Sequence, residues 1–324
     1  MSRYSLLRRS LLVAAATVFL VALQPLRAEA SLFAYDQFMV GPGGYVAGDD
    51  AAGGNGIDVL GGQNPAIGPT AFYAGPWIQA GGDSQAVKDI GSLAYPLFPS
   101  GGGQVRETVQ SNCCSYGRSG REILGGLGDQ ADERTIYQSF LIDFGSQGTD
   151  DPTQFGKRAY EMWNGDVDQF PAVDLFVDQF SGVNNLTLKV TTATGTESDL
   201  VNGGGLSLAA LAGTHLVVFR FDFTRANPDV VTMYLDPTDS IESNYVPAAQ
   251  ISVLASDLFI THHGAITNFT FSGPGHVPGA FDEVRWGETF ADVTPFLDPT
   301  VPEPATVGLL ALGLVGVARS RRRR

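Results

Sequence analysis

His215–Phe223 reads HLVVFRFDF, and its second half alternates strictly between apolar and charged side chains. Phe219, Phe221 and Phe223 share one face of an extended chain, because successive side chains of a strand point to opposite faces. The intervening arginine and aspartate share the other face. This pattern is typical of a half-buried antiparallel strand. Similar runs of β-branched and aromatic residues lie at 135–144, 173–177, 186–192 and 230–235.

The spacing of these runs predicts the fold class. The chain has 40 glycines and 18 prolines, and turn signals separate the runs at intervals of roughly ten residues. Helical patterns are confined to short stretches at 206–211 and 288–293. We therefore expect an all-β body over residues 31–298, folded as a two-sheet antiparallel jelly-roll sandwich.

The C-terminal 24 residues have three parts in order. Pro302 and Pro304 end the preceding domain, because proline cannot continue a regular element. The uncharged segment 305–318 would be about 21 Å long as a helix, which is shorter than the roughly 30 Å hydrocarbon core of a bilayer. Terminal arginines can reach the headgroups, so we expect a marginal transmembrane helix with its basic end in the cytoplasm. The alternative is a buried helix followed by a basic tail.

This order of parts resembles the PEP-CTERM sorting signal of Gram-negative bacteria. The resemblance implies that residues 299–324 are recognised and cleaved by an exosortase after transient anchoring in the inner membrane. It also implies delivery to the cell surface or to an extracellular polysaccharide matrix. The positions that carry it are Val301, Pro302, Glu303, Pro304, Arg319, Arg321, Arg322, Arg323 and Arg324.

The N-terminus has the pattern of a secretory signal peptide over residues 1–30. Three arginines within the first nine residues precede an apolar stretch at 11–23. Ala28 and Ala30 form an A-x-A cleavage site, so we expect the mature chain to begin at Ser31. The arginine pair at 8–9 also fits part of a twin-arginine signal.

The exported body is strongly acidic. Without the two terminal signals, 11 basic and 32 acidic residues remain, which gives a formal net charge near −21. This charge argues against nucleic acid as a partner and leaves two interpretations, solubility outside the cell or affinity for calcium. Asp166 and Asp168 are the favoured ligands for a structural Ca²⁺ ion. The other acidic candidates lie at 150, 151, 174 and 178.

The two ends of the body carry a second resemblance. The chain opens with AYDQF at 34–38 and closes with AFDEVRWG at 280–287. This arrangement is similar to concanavalin A-like lectin/glucanase domains of the laminin-G type, over most of residues 31–296. The resemblance implies that the last strand pairs beside the first strand, and that a calcium ion can sit at a sheet rim.

The sequence offers no recognisable catalytic carboxylate pair. Glycan hydrolysis needs two carboxylates on opposite sides of the scissile bond, and on one strand they must be two residues apart. The stretch 161–168 comes nearest, but Asn164 stands where an acid is needed. Asp282 and Glu283 are adjacent, so a regular strand would point them to opposite faces; we expect a solvated turn or an inter-strand ion pair with Arg285.

Other reactive or binding residues are few. Cys113 and Cys114 are adjacent, and we favour a strained vicinal disulfide over an intermolecular link or free thiols. The histidines at 215, 262, 263 and 276 have no metal-site spacing. Trp77, Trp163 and Trp286 are candidates for a sugar platform, although tryptophan is more often buried.

These observations predict an exported surface or matrix protein that is not an enzyme and that binds polysaccharide through its β-sandwich. A glycoside hydrolase or lyase of the same fold is the alternative. A purely structural module without a ligand is the second alternative. We expect no cofactor other than calcium, no nucleic acid, and two partners: an exosortase and an extracellular polysaccharide.

Overall fold

The computed structural model divides into two compact units, Met1–Ser31 and Leu32–Arg324, and every described residue belongs to the second. The expected boundaries at residues 30 and 298 stay predictions. The structure describes residues 32–42, 44–45, 72–81, 85–88, 91–107, 117–128, 133–144, 155–165, 171–180, 183–192, 195–204, 208–225, 228–253, 258–264 and 279–297.

The described ranges form strands joined into two antiparallel sheets. The strands are β1 (Leu32–Asp36), β2 (Tyr73–Gly81), β3 (Gln85–Lys88), β4 (Gln104–Glu107), β5 (Gly117–Leu127), β6 (Arg134–Asp143), β7 (Phe155–Trp163), β8 (Pro171–Phe180), β9 (Val183–Thr192), β10 (Gly195–Leu200), β11 (Thr214–Phe223), β12 (Asp229–Leu235), β13 (Ala249–Val253), β14 (Ile260–Gly264) and β15 (Ala280–Gly287). The first sheet has the order β13-β12-β11-β6-β15-β4-β3, and β1 also pairs with β15. The second sheet has the order β10-β9-β8-β7-β14-β5-β2. The predicted two-sheet antiparallel sandwich is therefore confirmed.

Alternating side chains build the core between the sheets. Phe219 and Phe221 of β11 are fully buried there, as are Met162 of β7 and Leu188 of β9 in the opposite sheet. Each large apolar side chain removed from water contributes about 1.5–3 kcal/mol, before the entropy cost of ordering it. The face predicted from the phenylalanine alternation is thus the face that joins the two sheets.

A second apolar cluster covers the outer face of the first sheet. It explains why β15 is buried along its whole length and β6 nearly so, since both strands are covered on two sides. Leu216 and Val218 of β11 face this cluster, so the half of β11 before Phe219 is buried on both faces. Its buried members are Leu93, Phe98, Tyr137, Leu141, Leu216, Val218, Tyr234, Ala280, Phe290 and Val293.

Helical structure in the described ranges is short. Helix α1 (Phe290–Val293) begins at Thr289, whose side chain accepts a hydrogen bond from the backbone N–H of Asp292. The Asp292 carboxylate accepts from the Thr289 N–H in return, which satisfies two backbone donors at the helix start. Single 3₁₀ turns occupy Val201–Gly203, Leu208–Leu211 and Glu242–Asn244. The two short helical stretches predicted from sequence are both present.

No helix within the described part of the chain has the length and hydropathy needed to cross a membrane. The predicted sorting helix at 305–318 lies outside that part.

The last strand pairs with the first, as the second resemblance implies. β15 pairs with β6 along one side and shares its other side between two partners. Ala280 and Phe281 pair with β4, whereas Val284 to Gly287 pair with β1. The change of partner falls at Asp282 and Glu283, which places these two carboxylates at a discontinuity in the sheet.

Candidate functional site

A bulge in β15 brings the two adjacent carboxylates together. The register with β6 shifts between Asp282 and Arg285, and Glu283 has φ +55°, which is the left-handed region. Both carboxylates contact the Ser92 hydroxyl, which donates to Asp282 Oδ2 and lies 3.4 Å from Glu283 Oε1. The expectation that they point to opposite faces is therefore wrong, because the bulge interrupts the alternation.

Hydrogen-bond donors surround Asp282 and Glu283. Glu283 accepts hydrogen bonds from the Tyr35 hydroxyl and from the Gly101 backbone N–H at 2.6 Å. Arg285 Nη2 lies 3.2 Å from Glu283 Oε2, so the ion pair forms within β15 and not between strands as expected. Burial raises the pKa of Asp282 and of Glu283, with the charge of Glu283 adding to the effect on Asp282. These contacts fasten the 92–101 loop to the strand, so the pair has a structural role.

A second buried network connects the two sheets. Asp36 ends β1, and its Oδ2 lies 3.9 Å from Nη1 of Arg121 on β5. The Phe38 N–H donates to Asp36 Oδ1 at 2.9 Å, and the Tyr45 hydroxyl donates to Oδ2. Trp77 Nε1 donates to the Tyr45 hydroxyl at 2.9 Å. Burial raises the pKa of Asp36 to about 6, although these donors and the arginine act to lower it.

The outer face of the second sheet is polar, in contrast to that of the first. Strand alternation places Leu175 and Leu188 in the core, so their neighbours Asp174 and Lys189 face outward. Cross-strand register then sets Lys189 opposite Asp174, and Asp174 opposite Glu161. Cβ atoms of directly opposed residues are about 4.5–5.5 Å apart, so this face carries a cross-strand carboxylate pair.

An aromatic and a histidine continue this face toward β5. Trp163 lies two residues after Glu161 on the same strand, opposite His262 of β14. Their rings are stacked at a centroid distance of 6.0 Å and an interplanar angle of 6°. His262 in turn lies opposite Glu122, which is exposed. The Trp163 Nε1 is buried and makes no hydrogen bond to the described residues.

Access to this face is uneven. Glu161, Trp163 and Asp174 are at most 3% exposed. Toward β9 and β10 the face is open: Phe176 is partly exposed, and the Lys189 ammonium lies 3.5 Å from the centre of its ring. We call the outward positions of these strands the open strip. They are Phe176, Lys189, Thr191, Thr196 and Ser198.

Several predicted site residues cannot be placed, and others are buried. Asp166, Asp168, Cys113 and Cys114 lie outside the described ranges, as do Ala28, Ala30 and the sorting residues 301–324. Within those ranges, no three acidic, histidine or cysteine side chains are grouped as metal ligands. Trp77, Trp163 and Trp286 are each at most 1% exposed, so none of them forms an exposed sugar platform.

The pairing of Glu161 with Asp174 was not predicted from the sequence. The expected catalytic pattern was two acids two residues apart on one strand, whereas these acids are brought together by the β7–β8 hairpin. A signal was present, since both strands alternate and each acid falls at an outward position. Only the register of the hairpin places Glu161 opposite Asp174, and that register cannot be read from the sequence.

The comparisons with known proteins identify the C-terminal tail. Residues 300–324 match the PEP-CTERM protein-sorting motif, which confirms the prediction made from the Pro-Glu-Pro, apolar and arginine segments. The motif implies processing by an exosortase, export, and sorting to the envelope or surface. No curated protein sequence matches the chain significantly.

Solved structures similar to the body are β-rich proteins of low sequence identity. One is the endo-β-1,4-glucuronan lyase of the fungus Trichoderma reesei, at 14% identity over 65% of this chain and 90% of that chain, with a TM-score of 0.40. Another is the globular domain of T. cruzi calreticulin, at 10% identity over 65% and 86%, with a TM-score of 0.38. A third is the binding domain of botulinum neurotoxin serotype G, at 10% identity over 74% and 50%, with a TM-score of 0.42. At these values the similarities identify neither a ligand nor an activity.

Proposed function

We propose that this exosortase-sorted protein is a non-catalytic component of the cell surface or extracellular matrix that binds polysaccharide along the open strip of the second sheet. The observation that supports this most directly is the difference between the two outer faces. The first sheet is covered by an apolar cluster, whereas the second presents a partly exposed aromatic ring, an ammonium group and hydroxyls. A ring beside polar groups is the arrangement that a sugar-binding surface needs.

In this proposal, Phe176 and Lys189 make different contacts with the sugar. The ring offers an apolar face to the C–H groups of a sugar, and the ammonium, now 3.5 Å from that ring, can move to a sugar hydroxyl or carboxylate. Thr191 and Thr196 lie on the neighbouring strands with their hydroxyls 3.0 Å apart. They add donors and acceptors along the same line.

The charge of the body restricts the choice of polysaccharide. A net charge near −21 repels acidic polymers unless divalent cations bridge the two. We therefore expect neutral or amino-sugar polymers to bind without added metal. We expect acidic polymers to bind only when calcium is present.

Binding of the full chain to immobilised polysaccharides, with calcium or with EDTA, tests the proposal. Phe176→Leu keeps the apolar volume but removes the aromatic face, so we expect binding to weaken about tenfold, which corresponds to the ~1–2 kcal/mol of one lost stacking contact. Phe296→Leu is the matched control, because Phe296 is a partly exposed ring on loops outside the second sheet and should leave binding unchanged. Absence of binding to every polymer under both conditions would favour a purely structural module.

Glycan cleavage is the second candidate function, and the Glu161–Asp174 pair is the observation that favours it. Glu161 and Asp174 lie directly opposite each other on neighbouring strands, and a retaining hydrolase uses two carboxyl groups about 5–5.5 Å apart, one as the nucleophile and the other as the acid. If so, purified protein should release new reducing ends from a bound polymer, and Glu161→Gln should reduce that release by at least about a thousandfold. Asn164→Gln, at an exposed position next to β7, is the control. Unchanged polymer length with the unaltered protein would leave the non-catalytic proposal standing.

A further inference from the structure

Three large aliphatic side chains are exposed on loops beside the outer cluster of the first sheet. They are Leu97, Ile241 and Leu297, with exposed fractions of 49%, 57% and 59%. Isolated exposed leucines are ordinary on protein surfaces, so their meaning depends on whether they lie together.

Hydrogen bonds and ring contacts join the three loops. The Leu297 N–H donates to the Leu97 carbonyl at 2.8 Å. The Ser240 hydroxyl, next to Ile241, donates to the Thr294 carbonyl. Phe296 packs edge-on against Phe98 at 5.7 Å. We name the surface formed by Leu97, Ile241 and Leu297 the apolar tip.

The backbone at the tip is unusual. Leu97 has φ +59°, a conformation that is a genuine outlier for a bulky residue and that glycine would adopt without cost. Such strain persists where the surrounding structure imposes it, and it clusters at active sites, ligand clamps and switch regions. At Leu97 the strained backbone carries an exposed side chain.

Two of the three loops of the tip are uncharged. Residues 91–105 contain no charged side chain, and neither do residues 294–297, whereas Asp239 and Glu242 flank Ile241 on the third loop. In a body of net charge near −21, the two uncharged loops are the part of the tip that an anionic lipid surface repels least.

The position of the tip in the sequence, close to the apolar segment 305–318, indicates its partner. Ala305, the first residue of the apolar segment, follows Leu297 by only eight positions, which span at most about 28 Å even when fully extended. While that segment is in the membrane, the tip must stay near its outer surface. We propose that the apolar tip docks on the lipid surface of the cytoplasmic membrane, on the side away from the cytoplasm, before the tail is cleaved. This inference depends on the sorting motif and not on polysaccharide binding.

Photocrosslinking of the full chain in vesicles tests the proposal. The vesicles contain phosphatidylethanolamine and phosphatidylglycerol, with a trace of a phospholipid that carries a diazirine near its headgroup. After irradiation, we expect lipid adducts on peptides from 91–105 and 237–247. In the triple variant Leu97→Ser, Ile241→Ser, Leu297→Ser these adducts should fall at least about fivefold, because the aliphatic groups that enter the lipid are gone. Adducts on the 305–318 segment report insertion and should not change.

Leu124→Ser, Leu200→Ser is the matched control, because both leucines are exposed strand residues of the second sheet. It should leave the adducts at the tip unchanged. Because all five substituted side chains are exposed, both variants should keep the circular dichroism spectrum of the parent. Equal adduct yields in parent and triple variant would overturn the proposal. So would crosslinks from the tip to a second copy of the chain, or to an added exosortase, in place of lipid.

Discussion

Replacing Arg121 by methionine should lower the free energy of unfolding by about 3–5 kcal/mol at pH 8, the cost of leaving a buried charge without its partner. Asp36, which is 1% exposed between the two sheets, would then have to ionise without the arginine that lies 3.9 Å from its carboxylate. Methionine retains the unbranched apolar stem of arginine, but it lacks the guanidinium carbon that lies 4.5 Å from the centre of the Tyr73 ring. Urea unfolding followed by tryptophan fluorescence measures the change, and Trp77 lies in the same network.

The pH dependence identifies the charge as the cause. The pKa of Asp36 is raised from 3.8 to about 6 in the folded protein, so the folded state binds more protons than the unfolded state between these values. The stability that Asp36 contributes is therefore complete below pH 3.8 and is lost as the pH rises through 6. At one pKa unit per ~1.4 kcal/mol the loss amounts to about 3 kcal/mol. The deficit of Arg121→Met should accordingly shrink from pH 8 to pH 5.

The double variant Asp36→Asn, Arg121→Met supplies the control. With both charges removed, most of the lost stability should return, and this contribution to the pH dependence should disappear. An Arg121→Met deficit that is the same at pH 5 and pH 8, and that Asp36→Asn does not relieve, would assign the effect to lost packing.

Replacing Gly128 by alanine should destabilise the body by about 2–5 kcal/mol, the sum of a left-handed backbone cost and a steric one. Its φ is +80°, and an added Cβ would overlap the Leu258 carbonyl oxygen and the Phe223 ring. Both neighbours are buried, so neither can move aside freely. Thermal unfolding monitored by circular dichroism would show the change as a lower midpoint temperature.

Gly125→Ala separates the two costs. Gly125 has φ +78° on β5, three residues before Gly128, but nothing lies within 4 Å of its added Cβ. We expect only the backbone cost of about 1–2 kcal/mol there. Equal destabilisation at the two glycines would mean that the contacts around Gly128 relax and that the steric argument is wrong.

Much of the fold could be predicted because it depends on local alternation. The Phe219–Phe221–Phe223 repeat marks the core face of β11, whereas the pairing of the last strand with the first was implied by the family resemblance that residues 280–287 help to carry. Alternation did not reveal the second cluster, because a strand covered on both faces, such as the 215–218 half of β11, reads as a plain apolar run.

The site was harder to predict because it depends on backbone detail and on long-range register. Glu283 departs from the strand conformation at φ +55°, and no residue type near it signals a bulge. Glu161 and Asp174 meet through hairpin register, and Asp36 meets Arg121 across two sheets. Such contacts arise only when the whole body is assembled, so single-strand patterns do not encode them.

The pairing of β1 with β15 also determines how late in synthesis the first sheet can be completed. Tyr35 and Glu283, which meet there, are 248 residues apart along the chain. A chain emerging from the ribosome cannot complete its first sheet until synthesis has almost reached the sorting tail, and contacts of such separation form slowly. Until then, the newly made polypeptide leaves unpaired the edge of β15 that β1 covers in the finished body.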